Sequence, residues 1–194
     1  MSKLFFKTLN EKISLTKEEE DIIRRFAVSK KIRKKQYLLQ AGDCCKALAF
    51  VEQGALRAYS VDEKGQEHIL RFAMEGWTIS DFDSFMSNEP SVYNIDALED
   101  TELTIIPKTA WEEVKKLVPS YEMYVRLELT AAYADMQKRI TALISLAPED
   151  TYSNFLTVYP DLVQRVPQHM IASYLGLSPE TLSRVRRRMI RKIG

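Results

Sequence analysis

Glu180 and Arg184 stand four residues apart near the end of the chain, with Ser183, Arg187 and Arg188 beside them. A carboxylate at this spacing can accept from an exocyclic amino group, and a guanidinium can donate twice to a guanine edge. Cations repeated along one helix face neutralise phosphates. The element that must carry them begins at Ser178, a good N-cap, followed by Pro179 at a position where its missing N–H costs nothing. Leu182, Val185 and Met189 then form one apolar stripe at spacings of three and four. A second short helical pattern precedes it, joined through Leu175-Gly176-Leu177. Two short helices around such a turn predict a helix-turn-helix whose second helix enters the DNA major groove. The competing readings are a solvated basic face and a surface ion pair between Glu180 and Arg184.

Charge is distributed unevenly. The whole chain carries 28 basic and 27 acidic residues, yet from Arg165 onward there are seven cations and one acid, Glu180. A near-neutral total therefore hides a basic C-terminal end, the electrostatic footprint expected of a nucleic-acid contact. Hydrophobic residues make up 45% of the chain, enough for a core. No apolar run approaches the ~18 residues of a membrane span, and the N-terminus is too interrupted for a signal peptide. The two cysteines, Cys44 and Cys45, are adjacent and cannot build a disulfide framework. A cytoplasmic protein that does not touch membranes is the expectation. The two histidines, His68 and His169, are too few and too far apart for a metal site. No phosphate loop, nucleophile elbow or paired-carboxylate motif is present, so no enzyme, catalytic residue, metal or cofactor is predicted.

The positioning elements follow from periodicity. Lys17 to Val28 reads as a helix capped by Thr16. Short apolar stretches then recur up to Leu103-Thr-Ile-Ile106, and Gly42, Gly54, Gly65 and Gly76 stand 12, 11 and 11 residues apart. Turn signals at that interval predict a jelly roll or β-roll. Ser120 to Ala147 lacks glycine and proline and reads as one helix about 40 Å long. Val125, Leu129, Ala132, Met136, Arg139, Leu143 and Leu146 repeat at four and three, an a/d seam predicting a parallel coiled coil in a homodimer. The alternative is that this face covers the β-domain. The expected fold is α+β: a β-roll over 1–118, a long dimerisation helix over 119–147 and an all-α helix-turn-helix over 148–194 without an evident wing.

That order of parts resembles the Crp–Fnr family of bacterial transcription regulators. Tyr37-Leu-Leu-Gln-Ala-Gly-Asp43, Leu48-Ala-Phe-Val-Glu-Gln-Gly54 and the Gly65 and Gly76 turns match its β-roll pattern, and Ile171 to Arg184 matches its DNA-reading element. The resemblance implies a homodimer on a palindromic double-stranded DNA site, contact with RNA polymerase, and an allosteric effector in the β-roll, often cyclic AMP. In the family a short helix in a G-D-F-I-G-E-like loop and an Arg beyond it hold the cyclic phosphate. Here that stretch runs Glu75 to Asp81, with Ser80 and Asp81 replacing the family's Gly and Glu. The Arg position falls on Ser91 and the following hydroxyl on Val92, while the adenine-capping positions fall near Met136 and Gln137.

A buried phosphate without a charged partner costs several kcal/mol, so cyclic AMP is not expected as the effector. Trp77, Phe82, Phe85, Tyr93 and Met136 either receive a more apolar ligand or fill the pocket themselves. The recognition helix also departs from the family: Pro179 replaces its first base-reading Arg. Glu180 and Arg184 remain to read bases, and Ser178, Thr181, Arg187, Arg188 and Gln168 are placed for phosphates. The effector remains unidentified on these grounds. The rival reading is a ligand-binding sensor module whose helix-turn-helix is vestigial or contacts protein.

Overall fold

A computed structural model describes the backbone of residues 2–193 and the side chains of residues 2–190. Arg191 and Lys192, counted above in the basic end, have side chains outside that range. The chain begins with two helices, α1 (Lys3–Lys12) and α2 (Lys17–Phe26). Strands β1 (Val28–Ile32), β2 (Tyr37–Leu39), β3 (Ala47–Gln53), β4 (Leu56–Val61), β5 (Glu67–Ala73) and β6 (Thr78–Ile79) follow. A short helix α3 (Phe82–Ser87) separates them from β7 (Asn94–Ala97) and β8 (Thr101–Pro107). Six helices complete the described chain: α4 (Lys108–Leu117), α5 (Pro119–Ser145), α6 (Pro148–Val158), α7 (Leu162–Arg165), α8 (Gln168–Tyr174) and α9 (Pro179–Ile193).

The strands form two antiparallel sheets, β1-β8-β3-β6 and β2-β7-β4-β5. They pack face to face as the expected β-roll. Leu39, Ala49, Val51, Leu56, Ile79, Ile95 and Leu103 are buried in the first core. The outer face of the β3–β8 sheet is covered by α1 and the start of α5, which contribute Phe5, Leu9, Tyr121 and Tyr124 to that core.

Local chemistry accounts for several element ends. The Thr16 hydroxyl accepts from Glu19 N at 3.2 Å while Glu19 Oε2 accepts from Thr16 N at 2.8 Å, a reciprocal capping box at the start of α2. Helix α1, which the periodicity reading passed over, is held by Glu52 of β3. That carboxylate accepts from Leu4 N at 3.0 Å and Phe5 N at 3.3 Å, satisfying donors the helix cannot satisfy itself.

Several boundaries differ from the sequence reading: α2 ends at Phe26 and Val28 opens β1. The long helix stops at Ser145, and Pro148 opens α6 rather than merely ending its predecessor. The expected seam is also rotated. Val125 is buried against the β-roll and Arg139 points back into its own chain, because these positions share the face of α5 that carries Tyr121, Tyr124 and Glu128. The exposed apolar line is instead Leu129, Tyr133, Met136, Ile140 and Leu143, still spaced four and three. Ala132, which the sequence reading put in the seam, is only half-buried.

The largest departure from a beads-on-a-string arrangement is a second core. Tyr59, Ile69, Phe72 and Leu98, on the outer side of the β2-β7-β4-β5 sheet, pack with Tyr152, Phe155, Tyr159, Leu162, Ile171, Leu182 and Val185 of the C-terminal helices. The C-terminal unit therefore shares its core with the β-roll.

Gly54 turns from β3 to β4 at φ +102°, and a Cβ there would lie 2.4 Å from Thr101 Oγ1 and 2.8 Å from Thr101 Cα. Gly65 also has positive φ, +79°, but open space around it. Gly54→Ala is expected to cost about 3 kcal/mol or more, from strain plus collision with backbone. Gly65→Ala should cost about 1 kcal/mol, from strain alone. Urea unfolding midpoints of the two variants check the difference.

Candidate nucleic-acid interface

The helix-turn-helix is α8, a turn at Gly176, and α9. Gly176 takes φ +64°, a conformation that L side chains rarely adopt, and a Cβ there would press on Leu143 of α5 at 3.3 Å. Ser178 caps α9 as expected, its hydroxyl accepting from Thr181 N at 3.2 Å. Ile171, Ala172, Leu175, Leu182 and Val185 are buried, so the apolar stripe fastens α9 to α6 and α8. Met189 packs at the margin of the same core.

The polar face is left free. Gln168, Ser178, Glu180, Arg184, Arg187 and Arg188 are exposed, with Thr181 and Ser183 half-buried between them. Arg184 Nη2 donates to Thr181 Oγ1 at 3.2 Å, which extends the guanidinium along the helix. Arg187 is steered by Ser183 through its backbone carbonyl and its hydroxyl, both at 3.4 Å. Arg188 bridges to Glu149 at the start of α6 at 2.9 Å, so it also ties α9 to its scaffold. Glu180 sits in the first turn of α9. Its backbone N–H, the Ser178 hydroxyl and the Arg184 charge hold its carboxyl below the usual range, so it is an anion and acceptor at neutral pH.

A set of polar contacts fixes this unit on the β-roll. Arg139 of α5 donates to Leu70 O at 2.6 Å, Ile69 O at 3.1 Å and Tyr174 O at 2.8 Å, with its guanidinium 4.1 Å from the Tyr174 ring centroid. Burial pulls its pKa down, since no carboxylate accompanies it. The Ser173 hydroxyl accepts from Ile69 N at 3.0 Å and donates to Glu67 O at 3.1 Å. Because β5 is the outermost strand of its sheet, α8 and Arg139 together satisfy backbone groups that its free edge would otherwise present. Arg165 of α7 makes a two-pronged pair with Glu75 at 2.9 and 3.0 Å and also reaches Glu99. Arg57 of β4 is buried between Asp96 and Glu67 and reaches Met170 Sδ of α8 at 3.8 Å.

The expected effector-pocket residues do not converge. Trp77 lies against Tyr159, with ring centroids 5.3 Å apart and planes tilted by 39°, and belongs to the junction with the C-terminal helices. Val92 is 67% exposed, and Tyr93 is half-buried beside it. Met136 is exposed, and Gln137 bonds to the Tyr133 hydroxyl on the outer side of α5. Phe82 stacks on Phe85 at 6.2 Å and lines a void of about 50 Å³ beneath α5. Phe85 is fully buried, an aromatic that fills space itself.

Asp81 and Ser91 do meet, and their contact tests whether a cyclic phosphate fits. Asp81 is the N-cap of α3, accepting from Ser84 N at 3.2 Å, and Ser91 Oγ donates to its second oxygen at 2.6 Å. Both residues are buried. The position where the resemblance puts the phosphate-holding Arg is thus Ser91, whose hydroxyl is spent on Asp81 and which brings no cation. A cyclic nucleotide does not fit that arrangement.

A different opening lies between the sheets. It measures about 660 Å³ and is lined by residues including Ser80, Leu39, Ile79, Ile95 and Ile105. Among the described residues there is no group of three or more His, Cys, Asp and Glu side chains able to hold a metal, and no helix long and apolar enough to cross a membrane.

Comparison with known proteins gives a consistent picture. Residues 29–116 match the cyclic nucleotide-binding domain family. Regulatory protein HlyX of Actinobacillus pleuropneumoniae is 26% identical over 137 residues, covering 71% of this chain and 55% of its own length. The fumarate and nitrate reduction regulatory protein of Vibrio cholerae is 27% identical over 149 residues, covering 77% and 57%. The chain thus spans about half the length of the curated relatives it matches. Among solved structures, FixK2 from Bradyrhizobium japonicum superimposes with a TM-score of 0.75 at 17% identity, over 86% of this chain and 85% of that one. A Crp/Fnr-family regulator from Eubacterium rectale gives 0.70 at 20% identity, over 92% and 85%. These structures share the fold.

Arg139→Met keeps the bulk but removes the donors to three carbonyls. It is expected to cost about 2–3 kcal/mol, the penalty of acceptors left without partners. Lys138→Met, at an exposed neighbour, should stay within about 0.5 kcal/mol. Thermal unfolding, together with protease cleavage near Leu146-Ala147 that is faster only in the Arg139 variant, checks this.

Proposed function

We propose that this chain, a Crp–Fnr-type protein with a cyclic nucleotide-binding domain over residues 29–116, is a homodimeric, sequence-specific DNA-binding transcription regulator. The observation that carries the reading is the free polar face of α9 on a packed helix-turn-helix. Glu180 and Arg184 are both exposed on that face, an acceptor for cytosine and a fork of donors for guanine. Gln168, Ser178, Thr181, Ser183, Arg187 and Arg188 surround them and serve the phosphates.

Dimerisation is the second part of the reading. Leu129, Tyr133, Met136, Ile140 and Leu143 leave apolar area in water along the outer side of α5, and Ile144 beside them is 80% exposed. A parallel second copy would cover this line by knobs-into-holes packing. It would also set two α9 helices for the two halves of a palindrome. Working units of 1–118, 119–147 and 148–194 follow, as sensor, spine and reader. A transcriptional activator among the relatives supports including contact with RNA polymerase, and a cytoplasmic setting, in this reading.

The controlling effector is not cyclic AMP, because Asp81 and Ser91 close on one another. Control requires an effector that binds two arrangements of the readers unequally. Here the readers are anchored to the β-roll by Arg139, Arg165 and the shared core, so a signal that tilts the sheets reaches α9 directly.

Selection of bound duplexes from a random library, near physiological salt, tests the reading. The expected product is a two-fold symmetric site with half-sites about one helical turn apart. Binding without enrichment, or none, would favour the sensor-module reading. On the selected site, Arg184→Ala should lose about 1–3 kcal/mol of preference over random DNA while keeping nonspecific affinity. Arg187→Ala should weaken all sequences alike and lower the salt slope by about one. Fluorescence anisotropy over a salt series separates these outcomes. Ile140→Glu should shift the chain to monomer in sedimentation equilibrium, while Lys138→Glu should not.

A further inference from the structure

We propose that the cavity in the elbow between α5 and α6 is a binding site for a small carboxylate with an aromatic body. Its lining residues belong to α5, α6 and the end of α8, and none comes from the strands of the β-roll. The cavity measures about 380 Å³, within the range of small-molecule sites.

Arg139 lines this cavity with its charge uncompensated. The carbonyls of Ile69, Leu70 and Tyr174 take up most of its donors, but a neutral acceptor does not cancel a charge. Among the described residues no carboxylate pairs with it. Burial disfavours the cation, and an anion in the cavity would offset that cost. Nη1 donates to Leu70 O alone among these carbonyls, which leaves its second hydrogen for another acceptor.

Two phenols meet the same space. Tyr159 and Tyr174 line the cavity, and their hydroxyl oxygens lie 3.4 Å apart. Only one can donate to the other, so one phenolic hydrogen stays available to an outside acceptor. Burial pushes the Tyr159 pKa up, which keeps that hydroxyl a protonated donor. The Tyr174 ring centroid is 4.1 Å from the Arg139 guanidinium carbon, so cation and phenols stand together.

The rest of the lining selects the body of the ligand. The ring of Phe155 is 5.0 Å from that of Tyr159 and 5.5 Å from that of Tyr174. Leu143 and Val158 add aliphatic area. Rings at these spacings favour an aromatic partner. A guanidinium hydrogen and a phenol match the two oxygens of a carboxylate, whereas a phosphate would be left short of donors. Lys138 and Asp135 at the exposed rim pair with each other at 3.7 Å, so they neither supply the charge nor cancel it. A gap left by loose packing gives no reason for an unneutralised cation and an unclaimed phenolic hydrogen to share it.

Titration calorimetry on the full chain with 2-naphthoate and its neutral isostere 2-naphthamide tests the proposal. Naphthoate should bind saturably, one per chain, and about tenfold tighter than the amide. Ala142→Leu, which fills the cavity from α5, should weaken naphthoate about tenfold or more, and Tyr174→Phe about three- to fivefold. Asp135→Asn should tighten it about twofold by removing a like charge from the rim. Lys46→Gln, at the separate opening between the sheets, should change nothing. Arg139→Met should erase the preference for naphthoate over the amide. If that variant does not fold, Ala142→Leu and Tyr174→Phe carry the test. Bound naphthoate should also slow protease cleavage near Leu146-Ala147, because it joins α5 to α6. Failure of naphthoate to bind, equal affinity for both probes, indifference to Ala142→Leu, or a loss in Lys46→Gln would overturn the assignment. These measurements contain no DNA, so either result leaves the DNA reading as it stands.

Discussion

The arrangement depends on the need to cover one face and one edge of a small sheet. Strand β5 is the outermost of four, and its outer side carries Ile69 and Phe72. Left in water, it would expose aromatic area and a row of unpaired backbone groups. The C-terminal helices supply the cover. Tyr159 and Tyr174 lie against Phe72 at 6.1 and 5.4 Å between ring centroids, Ser173 meets Ile69 and Glu67, and Arg139 caps the remaining carbonyls. A charged group with no carboxylate partner is an expensive way to satisfy carbonyls. It is retained where three carbonyls from two elements converge, and it joins α5, α8 and β5 at one point.

This junction changes what the long helix does. Read as a plain heptad, α5 would be a spine between two independent parts. Its inward face is instead divided, with Tyr121, Tyr124 and Glu128 serving the β-roll and Arg139 serving the junction. The outward face keeps a clean apolar line for a second copy. In the proposed dimer, movement along that line would carry the β-roll and the C-terminal helices together, without bending between α5 and α6. Such rigid packing switches between discrete arrangements rather than deforming continuously.

Much of this was legible in the sequence. Periodic glycines announced the β-roll because only positive φ makes those turns cheap. Thr16, Ser178 and Pro179 marked helix starts through capping chemistry that is local and therefore readable. The exposed face of α9 followed from one stripe, Leu182 and Val185. What escaped was non-local. Helix α1 depends on Glu52, over forty residues away, though Phe5 and Leu9 at a spacing of four were a usable signal. Arg139 in an apolar heptad was visible as an anomaly, but its partners Ile69, Leu70 and Tyr174 offer backbone atoms that no residue type betrays. The expected effector residues are brought together only in part: Asp81 and Ser91 meet, whereas Trp77 lies against Tyr159 at the junction, a matter of strand register and helix packing that spacing alone does not resolve.

Native-state hydrogen exchange on the full chain addresses the central claim, that the C-terminal helices and the β-roll open as one unit. The account predicts that amides of Ala172 to Leu175 in and after α8 and the inner β-roll amides of Val51 and Leu103 share one opening free energy, and fall together in Arg139→Met. Exchange of the α8 amides orders of magnitude faster than those of Val51 and Leu103 would contradict it, and would make the C-terminal helices an independent domain on a hinge.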